Sequence, residues 1–529
     1  MKKIFVKLAS AVLSALMVFS VAAGCSQKTE RVAPNTATDI QVEYWNAGLG
    51  RAWLDKIIER FEELYPQYNV EFHASEVLSE INANLMGETS DTVDVYLTYF
   101  DDASYEKYYS CLDTDLLDKS YGNETKTLRQ KFNQNILDQE KRTDGKIYTL
   151  SYGGGYSSIC YNTDIIDGTA YEVPNTSNEL MMLTFQLKQN NITPWVHFAP
   201  EGYAQYLASA WQAQYDGLNY YNNNFLTLTD PVTGESPSKE IMLKKDGRWE
   251  AIEAMAEIFT PDTVLNNSNT MDHTNAQTRF LNGQAAMMIN GMWMMNEMEY
   301  SGKDNIAMMR TPVISSIVDN CDSIKGENGG TADNELSALI DDIDAVTDGE
   351  KTITLTGDDS NSIEGEGYSV TEKDWKRIAE ARNIMYSNAV EHSLMIPTYS
   401  VAKEGALLFA QFLFSDEALK IYFDETHFSY PVYFSDESIT LDQSSWSGFE
   451  KQLYQYYLTS IPVSNRTCSR SPIFALGGTD DCANVQIINQ LTARGVAKKT
   501  ADQIWTEIET AVNDDWSTWM SDAGLTATA

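Results

Sequence analysis

At 529 residues the chain is long enough for two or three domains. Its 43% hydrophobic and 11% aromatic content supplies a sizeable core and excludes a disordered polymer. With 38 basic against 76 acidic residues the net charge is −38, a field that repels nucleic acid and anionic lipid head groups. Six cysteines are too few for a disulfide scaffold, and five histidines scattered along the chain disfavour a dedicated zinc enzyme. No cofactor or metal is expected.

The chain opens with Lys2 and Lys3, followed by an apolar run from Leu8 to Ala23 that is too short and too rich in Ala and Ser to span a bilayer. Residues 1–24 are read as a secretory signal peptide. Val21-Ala22-Ala23-Gly24-Cys25 resembles a bacterial lipobox, although Ala22 stands where Leu is most usual. That resemblance implies that Cys25 becomes the lipidated, palmitate-bearing first residue, anchored at the extracytoplasmic face of the cell membrane; the alternative is an ordinary secreted protein cleaved nearby. Polar residues 25–38 read as a flexible tether. Of the remaining five cysteines at least one is unpaired within the chain, and buried thiols are expected for most. Cys468 and Cys482, 14 residues apart, could pair outside the cell, a spacing that does not by itself establish a bond.

From residue 39 strand and helix alternate. Ile40, Val42 and Tyr44 alternate with polar residues in a half-buried strand that stops at Trp45-Asn46. Trp53, Leu54, Ile57, Ile58, Phe61 and Leu64 share one helix face, and Pro66 ends it. Val70 and Phe72 open a second strand, Val93, Val95 and Leu97 a third. Strand, helix, strand predicts a βαβ unit in a mostly parallel sheet, with any ligand at the carboxyl ends of the strands. Lys146–Tyr152 predicts another strand, and Gly153-Gly154-Gly155 after it suggests a hinge or a close approach to ligand. Ala285–Ile289 reads as a short buried strand, Asn290-Gly291 as a turn, and Trp293 as the start of a helix. Residues 319–366 hold 14 acidic and two basic residues, yet Leu336, Leu339, Ile340, Ile343 and Val346 keep a helical stripe and Thr352–Thr356 alternates as a strand. The segment reads as a structured acidic excursion. Leu407, Leu408, Phe409, Phe412 and Leu413 predict a buried helix, with a further helix starting at Ser415. The last helix begins with a capping box at Thr500 and Gln503.

No phosphate loop, His-Glu-x-x-His or Cys-x-x-Cys is present, and residues 342–350 lack the ligand alternation of a calcium loop. What the chain does carry is aromatic rings beside amides and carboxylates at strand ends and turns. That combination suits a sugar, whose C–H faces lie on rings and whose hydroxyls need planar polar partners.

The ordered motifs Tyr44-Trp45-Asn46, Tyr65-Pro66, Val93-Asp94-Val95, KIYTLSYGGGYSSICYN (146–162), FLNGQAAMMINGMW (280–293) and LLFAQFLFSDEALKIYF (407–423) together resemble the carbohydrate-binding lipoproteins of ABC importers, extracellular solute-binding proteins of the maltose-binding type. The resemblance covers most of 39–310 and 400–520. It implies a periplasmic-binding-protein-like α/β fold of two lobes, each a mostly parallel sheet flanked by helices, joined by hinge strands. By analogy the chain crosses between lobes near Leu150–Gly153, near Arg310–Pro312 and within 440–475. Lobe 1 is then 39–150 plus 311–440, with the acidic 319–366 inserted, and lobe 2 is 151–310 plus 441–529.

The implied ligand residues are Trp293, stacking on a sugar ring; Asp101, a sugar-binding carboxylate; Glu201 and Tyr203, a Glu-x-Tyr pair reaching in from the second lobe; and Asn46 with Trp45 at the first strand end. Gly155-Tyr156 stands where some relatives carry a cleft acid, which argues against a maltose specificity and places Tyr156 at a widened cleft. The expected function is a monomeric, non-catalytic receptor that captures an oligosaccharide and delivers it to ABC permease subunits. The alternatives are a surface glycoside hydrolase using two carboxylates and the same fold binding a non-sugar small molecule.

Overall fold

The computed structural model describes residues 37–46, 48–86, 93–99, 105–142, 144–166, 170–198, 203–298, 305–327, 330–465, 471, 473, 487–494 and 498–525. Cys25, the expected leader, Cys468 and Cys482 lie outside them. The half-buried strand becomes β1 (Asp39–Trp45), and the apolar stripe becomes the helix Ala52–Leu64, which buries Trp53, Leu54, Ile57, Ile58 and Phe61. β2 (Asn69–Ser75) and β3 (Val95–Thr98) both lie parallel to β1, as a βαβ unit requires. The chain then reaches β4 (Leu150–Ser151) and crosses through the three glycines into β5 (Tyr156–Asn162), every residue of which is buried.

β6 (Met287–Gly291) and β7 (Ile306–Met309) follow, then a hairpin of β8 (Ser362–Gly365) and β9 (Tyr368–Thr371). β10 (Ile384–Ser387), β11 (Ser393–Met395) and β12 (Ile461–Val463) complete the strands named here. Two five-stranded sheets result: β2-β1-β3-β11-β4, and β12-β10-β5-β6 with β7 also on β5. The first is parallel at β2-β1-β3 and antiparallel where β11 joins β3 to β4. The second departs from the expectation of a mostly parallel sheet, since only β10 and β12 run parallel, while β6, β7 and β10 all oppose β5. The cause is the glycine crossing. It delivers β5 at the junction and sends it outward, whereas β6 and β10 arrive at the junction and end there.

Two large cores flank these sheets. One joins Val42, Leu97, Phe409, Phe412 and Leu419 around the first sheet; the other joins Ile159, Trp211, Ile252, Leu336 and Trp505 around the second. Cys160 and Met288 face the first core while Ile159, Met287 and Ile289 face the second, so the second sheet is covered on both sides.

The lobe boundaries expected from sequence differ from this core membership. Val313, Ile317, Leu339, Ile343 and Ile378 all belong to the second core. Val313 N donates to Asn175 O at 2.8 Å and Trp211 Nε1 to Pro312 O at 2.9 Å, so the chain stays in the second body after β7. It leaves only after β10, and the second crossing is at Asn388–His392 rather than Arg310–Pro312. Conversely, Phe449, Leu453 and Tyr456 of the helix Gly448–Thr459 pack in the first core.

The acidic excursion is anchored by its apolar stripe, which forms the helix Ala332–Thr347 with Leu336, Leu339, Ile340 and Ile343 buried. Residues 352–356 form no strand. Their alternation finds no neighbouring strand, and the Thr356 and Gly357 amides instead bind the Glu372 carboxylate at 2.8 Å. Ser415 and the Thr500–Gln503 box cap their helices as expected.

Because Leu339 is fully buried, Leu339→Ala should cost about 2–5 kcal/mol in urea unfolding. A loss below ~0.5 kcal/mol, typical of surface positions, would show 332–347 to be a detachable insertion. At the glycine crossing, a Cβ on Gly154 (φ +96°) would lie 2.7 Å from Ala389 Cα, whereas one on Gly145 (φ +79°) meets nothing within 4 Å. Gly145→Ala should therefore cost only the left-handed backbone penalty of ~1–2 kcal/mol, and Gly154→Ala ~1–3 kcal/mol more. Equal losses would contradict the tight crossing.

Candidate functional site

Several strand ends meet where the chain crosses between the sheets. β1 ends at Trp45, β6 at Gly291, and β10 leads into Asn388, Glu391 and His392. Between them lies a cavity of about 270 Å³ lined by Trp45, Leu49, Gly154, Tyr203, Tyr206, His273, Met292, Trp293, Glu297, Asn388, Glu391 and His392, with Gly48 at its edge.

Trp45 is half-buried and stacks on His392, with centroids 5.5 Å apart and planes 15° apart. Trp293 forms the opposite wall and is 6% exposed. Its Nε1 donates to the Tyr203 hydroxyl at 3.1 Å, and its ring meets Tyr203 edge-on at 5.2 Å. Tyr203 stacks on Tyr206, which stacks in turn on Tyr386 at 3.9 Å. Gly291 makes this wall possible, because a Cβ there would fall 2.1 Å from the indole. The Asn290-Gly291 signal therefore marks a strand end over which Trp293 folds back.

The polar groups are distributed around the aromatic walls. Gln277 Nε2 donates to Glu297 Oε2 at 2.8 Å, and burial pushes the Glu297 carboxyl up. The Tyr386 hydroxyl lies 3.1 Å from Glu391 Oε1. Burial drives His392 down to about 4, so its ring is neutral at physiological pH. Asn388 Nδ2 lies 3.4 Å from His392 Nε2, and His392 Nδ1 has no hydrogen-bond partner among the described residues. One edge of the cavity is closed by a contact between the two bodies, Asn296 Nδ2 to Gly48 O at 2.7 Å.

Of the residues expected from sequence, Trp45, Tyr203 and Trp293 come together here. Asn46 is adjacent in the chain but does not line the cavity; its amide N–H binds Ser75 O at 2.9 Å. Tyr156 is turned into the first core and is 4% exposed, so it is not a wall of the cleft. β5 begins at Tyr156, and Gly155 ahead of it packs on Met292, which takes the place at the cavity. Asp101 and Glu201 lie outside the described residues.

Sequence reasoning missed Tyr206, His273, Glu297, Asn388, Glu391 and His392. Tyr206 was findable one helical turn after Tyr203. Asn388, Glu391 and His392 form a polar break between two apolar runs, the pattern of a crossing. Glu297 was findable in the same way as Tyr206, one turn after Trp293, whereas His273 is brought in by tertiary packing alone. A larger groove of about 660 Å³ lies on the outside of the first body, lined by residues including Glu124, Asp416, Glu417 and Glu437. It is remote from the strand ends, and Lys131, Arg60 and Lys126 pair with its carboxylates. Among the described residues no cluster of His, Cys, Asp and Glu is suited to a metal ion.

A family model of bacterial extracellular solute-binding proteins matches residues 46–420. The chain belongs to that family. A multiple sugar-binding protein from Streptococcus mutans serotype c is 23% identical to this solute-binding protein over 271 residues, 48% of this chain and 57% of the relative, so the chain spans little more than half of that protein's length. Among solved structures, RafE from Streptococcus pneumoniae overlays with a TM-score of 0.56 at 14% identity, covering 91% of this chain and 99% of that one. A manno-oligosaccharide-specific solute-binding protein from Bifidobacterium animalis subsp. lactis, solved with mannotriose, overlays at 0.55 and 15% identity, covering 92% and 95%. Such likeness establishes the periplasmic-binding-protein-like fold for this solute-binding protein.

The neutral histidines of the solute-binding protein make its stability sensitive to acid. Burial brings His197 and His392 down to about 4 in the folded protein, below the ordinary histidine value of 6.5, so the unfolded chain takes up protons first. Stability from these groups is complete above about pH 6.5 and is lost as the pH falls toward 4; Asp216, raised to about 6 by burial, offsets part of the loss. Between pH 7 and pH 5, His392→Gln should lose ~2 kcal/mol less than the unsubstituted protein in urea melts. Identical losses would mean that His392 is not buried uncharged.

Proposed function

We propose that this protein is the substrate-capturing component of an ABC import system. It binds an oligosaccharide in the cleft between its two bodies and passes it, unaltered, to a membrane permease. It is monomeric and held outside the cell by lipid on Cys25. The observation that carries the proposal is the convergence of Trp45, Tyr203, Tyr206 and Trp293 with Glu297, Asn388, Glu391 and His392 in one cavity at the crossing between two sheets. Rings supply faces for sugar C–H groups, and the carboxylates, amide and imidazoles meet hydroxyls that would otherwise be buried unpaired at a cost of about 1–3 kcal/mol each. The sugar ligands named for the structural relatives support the same reading.

A glycoside hydrolase is the second reading, favoured by two carboxylates in one cavity and by the raised Glu297. Incubation with a glycan panel separates the two. A receptor leaves every glycan intact while its melting temperature rises, and a ligand at 100 times its dissociation constant adds ~2.7 kcal/mol. Turnover that disappears in Glu297→Gln would establish the hydrolase. A panel without binders, with stabilisation by a non-sugar solute, would replace the ligand class.

The half-buried Trp45 and the nearly sealed Trp293 should respond differently to substitution. Trp45→Ala should weaken glycan binding ~tenfold or more with little change in the unliganded melt. Trp293→Ala should lower both, since it also removes core packing worth about 3–5 kcal/mol. Unchanged affinity in Trp45→Ala would remove stacking on that ring from the proposal.

A further inference from the structure

A glutamine packed behind the cavity governs how one of its carboxylates is presented. Resting on the carbohydrate reading above, we infer that Gln277 is a positioning residue, fixing the Glu297 carboxylate in the orientation that receives a sugar hydroxyl.

The helix His273–Leu281 buries Ala276, Gln277, Phe280 and Leu281. Ala276, Phe280 and Leu281 belong to the first core, so Gln277 places an amide on an otherwise apolar face. It is 0% exposed, and its Oε1 has no hydrogen-bond partner among the described residues. A buried amide oxygen without a partner is destabilising. Fold stability therefore gives no reason for glutamine where methionine or leucine would pack. The amide is spent on Glu297 instead, with Nε2 donating to Oε2 at 2.8 Å. A carboxylate only accepts, so the amide nitrogen is the atom that faces it.

Glu297 is placed differently. It is exposed as a whole residue and lines the cavity, with its carboxyl drawn in beside Gln277. It stands one turn after Trp293, whose carbonyl accepts from its backbone N–H at 3.0 Å. An unrestrained glutamate samples many rotamers, and a ligand that used it would have to freeze them. With Oε2 held by Gln277, Oε1 lies toward Gly48 at the cavity's edge, 3.8 Å from where a Cβ on that glycine would sit. His273, one turn before Gln277 on the same helix, also lines the cavity. Burial pushes the Glu297 carboxyl up, while the Gln277 bond and His273 oppose it in favour of the ionised form that accepts a hydroxyl.

Titration calorimetry on the full chain tests this with the tightest binder among maltotriose, cellotriose, xylotriose, mannotriose and raffinose. Gln277→Met keeps the bulk and removes the amide. It should weaken binding ~3–10-fold, while the unliganded melting temperature holds or rises. In a Glu297→Ala background the same substitution should change affinity less than ~twofold, because no carboxylate is left to position. Gln277→Asn, which withdraws the amide by one methylene, goes through the same cycle should the first variant not fold. Equal losses with and without Glu297 would make the amide part of general packing and overturn the inference, as would unchanged affinity in Gln277→Met. Failure of both variants to fold would assign the amide to stability and overturn it too. Those outcomes leave the carbohydrate reading intact. Binding by no glycan in the panel overturns that reading, and the inference with it.

Discussion

The structure depends on one pairing, between two of the segments that carry the chain from sheet to sheet. Gly155 N donates to Asn388 Oδ1 at 2.8 Å, Asn388 N donates to Gly155 O at 3.1 Å, and Tyr152 N donates to His392 O at 2.8 Å. The first crossing can lie this close to the second only because Gly154 has no side chain, while Gly155 leaves room for Met292. Both sheets are built outward from this junction, and the strand directions follow from it: β1, β6 and β10 end at it, while β5 and β11 begin there. The cavity is what remains between those ends.

A second constraint concerns how so acidic a chain packs. Arg310 and Arg382 are almost fully buried between the second sheet and the helices that cover it. Arg382 binds Asp344 at 2.7 Å, while Arg310 lies 3.3 Å from Asp348, bonds Thr459 Oγ1 at 3.0 Å and sits over the Tyr456 ring. These contacts tie the acidic helix Ala332–Thr347 to the helix Glu372–Asn383, to the end of β7 and to the helix that precedes β12. Removing one partner of such a set leaves a buried charge uncompensated, which costs far more than a surface pair contributes. Part of the acid-rich stretch thus serves as counter-charge to internal arginines.

Much of this was legible in the sequence where burial is one-sided. Alternation wrote β1, and the 3.6-residue stripe wrote the helix Ala52–Leu64. The Phe280–Trp293 run marked a strand end with an aromatic wall, and the triple glycine marked a crossing. Legibility failed where local pattern and tertiary placement diverge. The acid content of 319–366 resembles a linker, but four buried apolar residues outweigh it and hold the segment in the second core, which moves the second crossing to Asn388–His392. Thr352–Thr356 has strand alternation without a strand to pair with. Tyr156 follows the glycines, and its strand turns it inward. His273 reaches the cavity only through tertiary packing, so no spacing rule announces it, whereas Glu297 sits one turn after Trp293.

The crossing at Asn388–His392 both joins the two sheets and supplies part of the cavity's lining. If the bodies turn about this crossing, as the binding role proposed above requires, a guest that grips Asn388, Glu391 or His392 acts directly on their axle. Recognition and shape change share one stretch of backbone, with no intervening relay to be built or tuned. The energy by which a guest favours the shut form over the open one is then set largely by those few residues. Selection acting on what the protein accepts would at the same stroke retune how readily it closes.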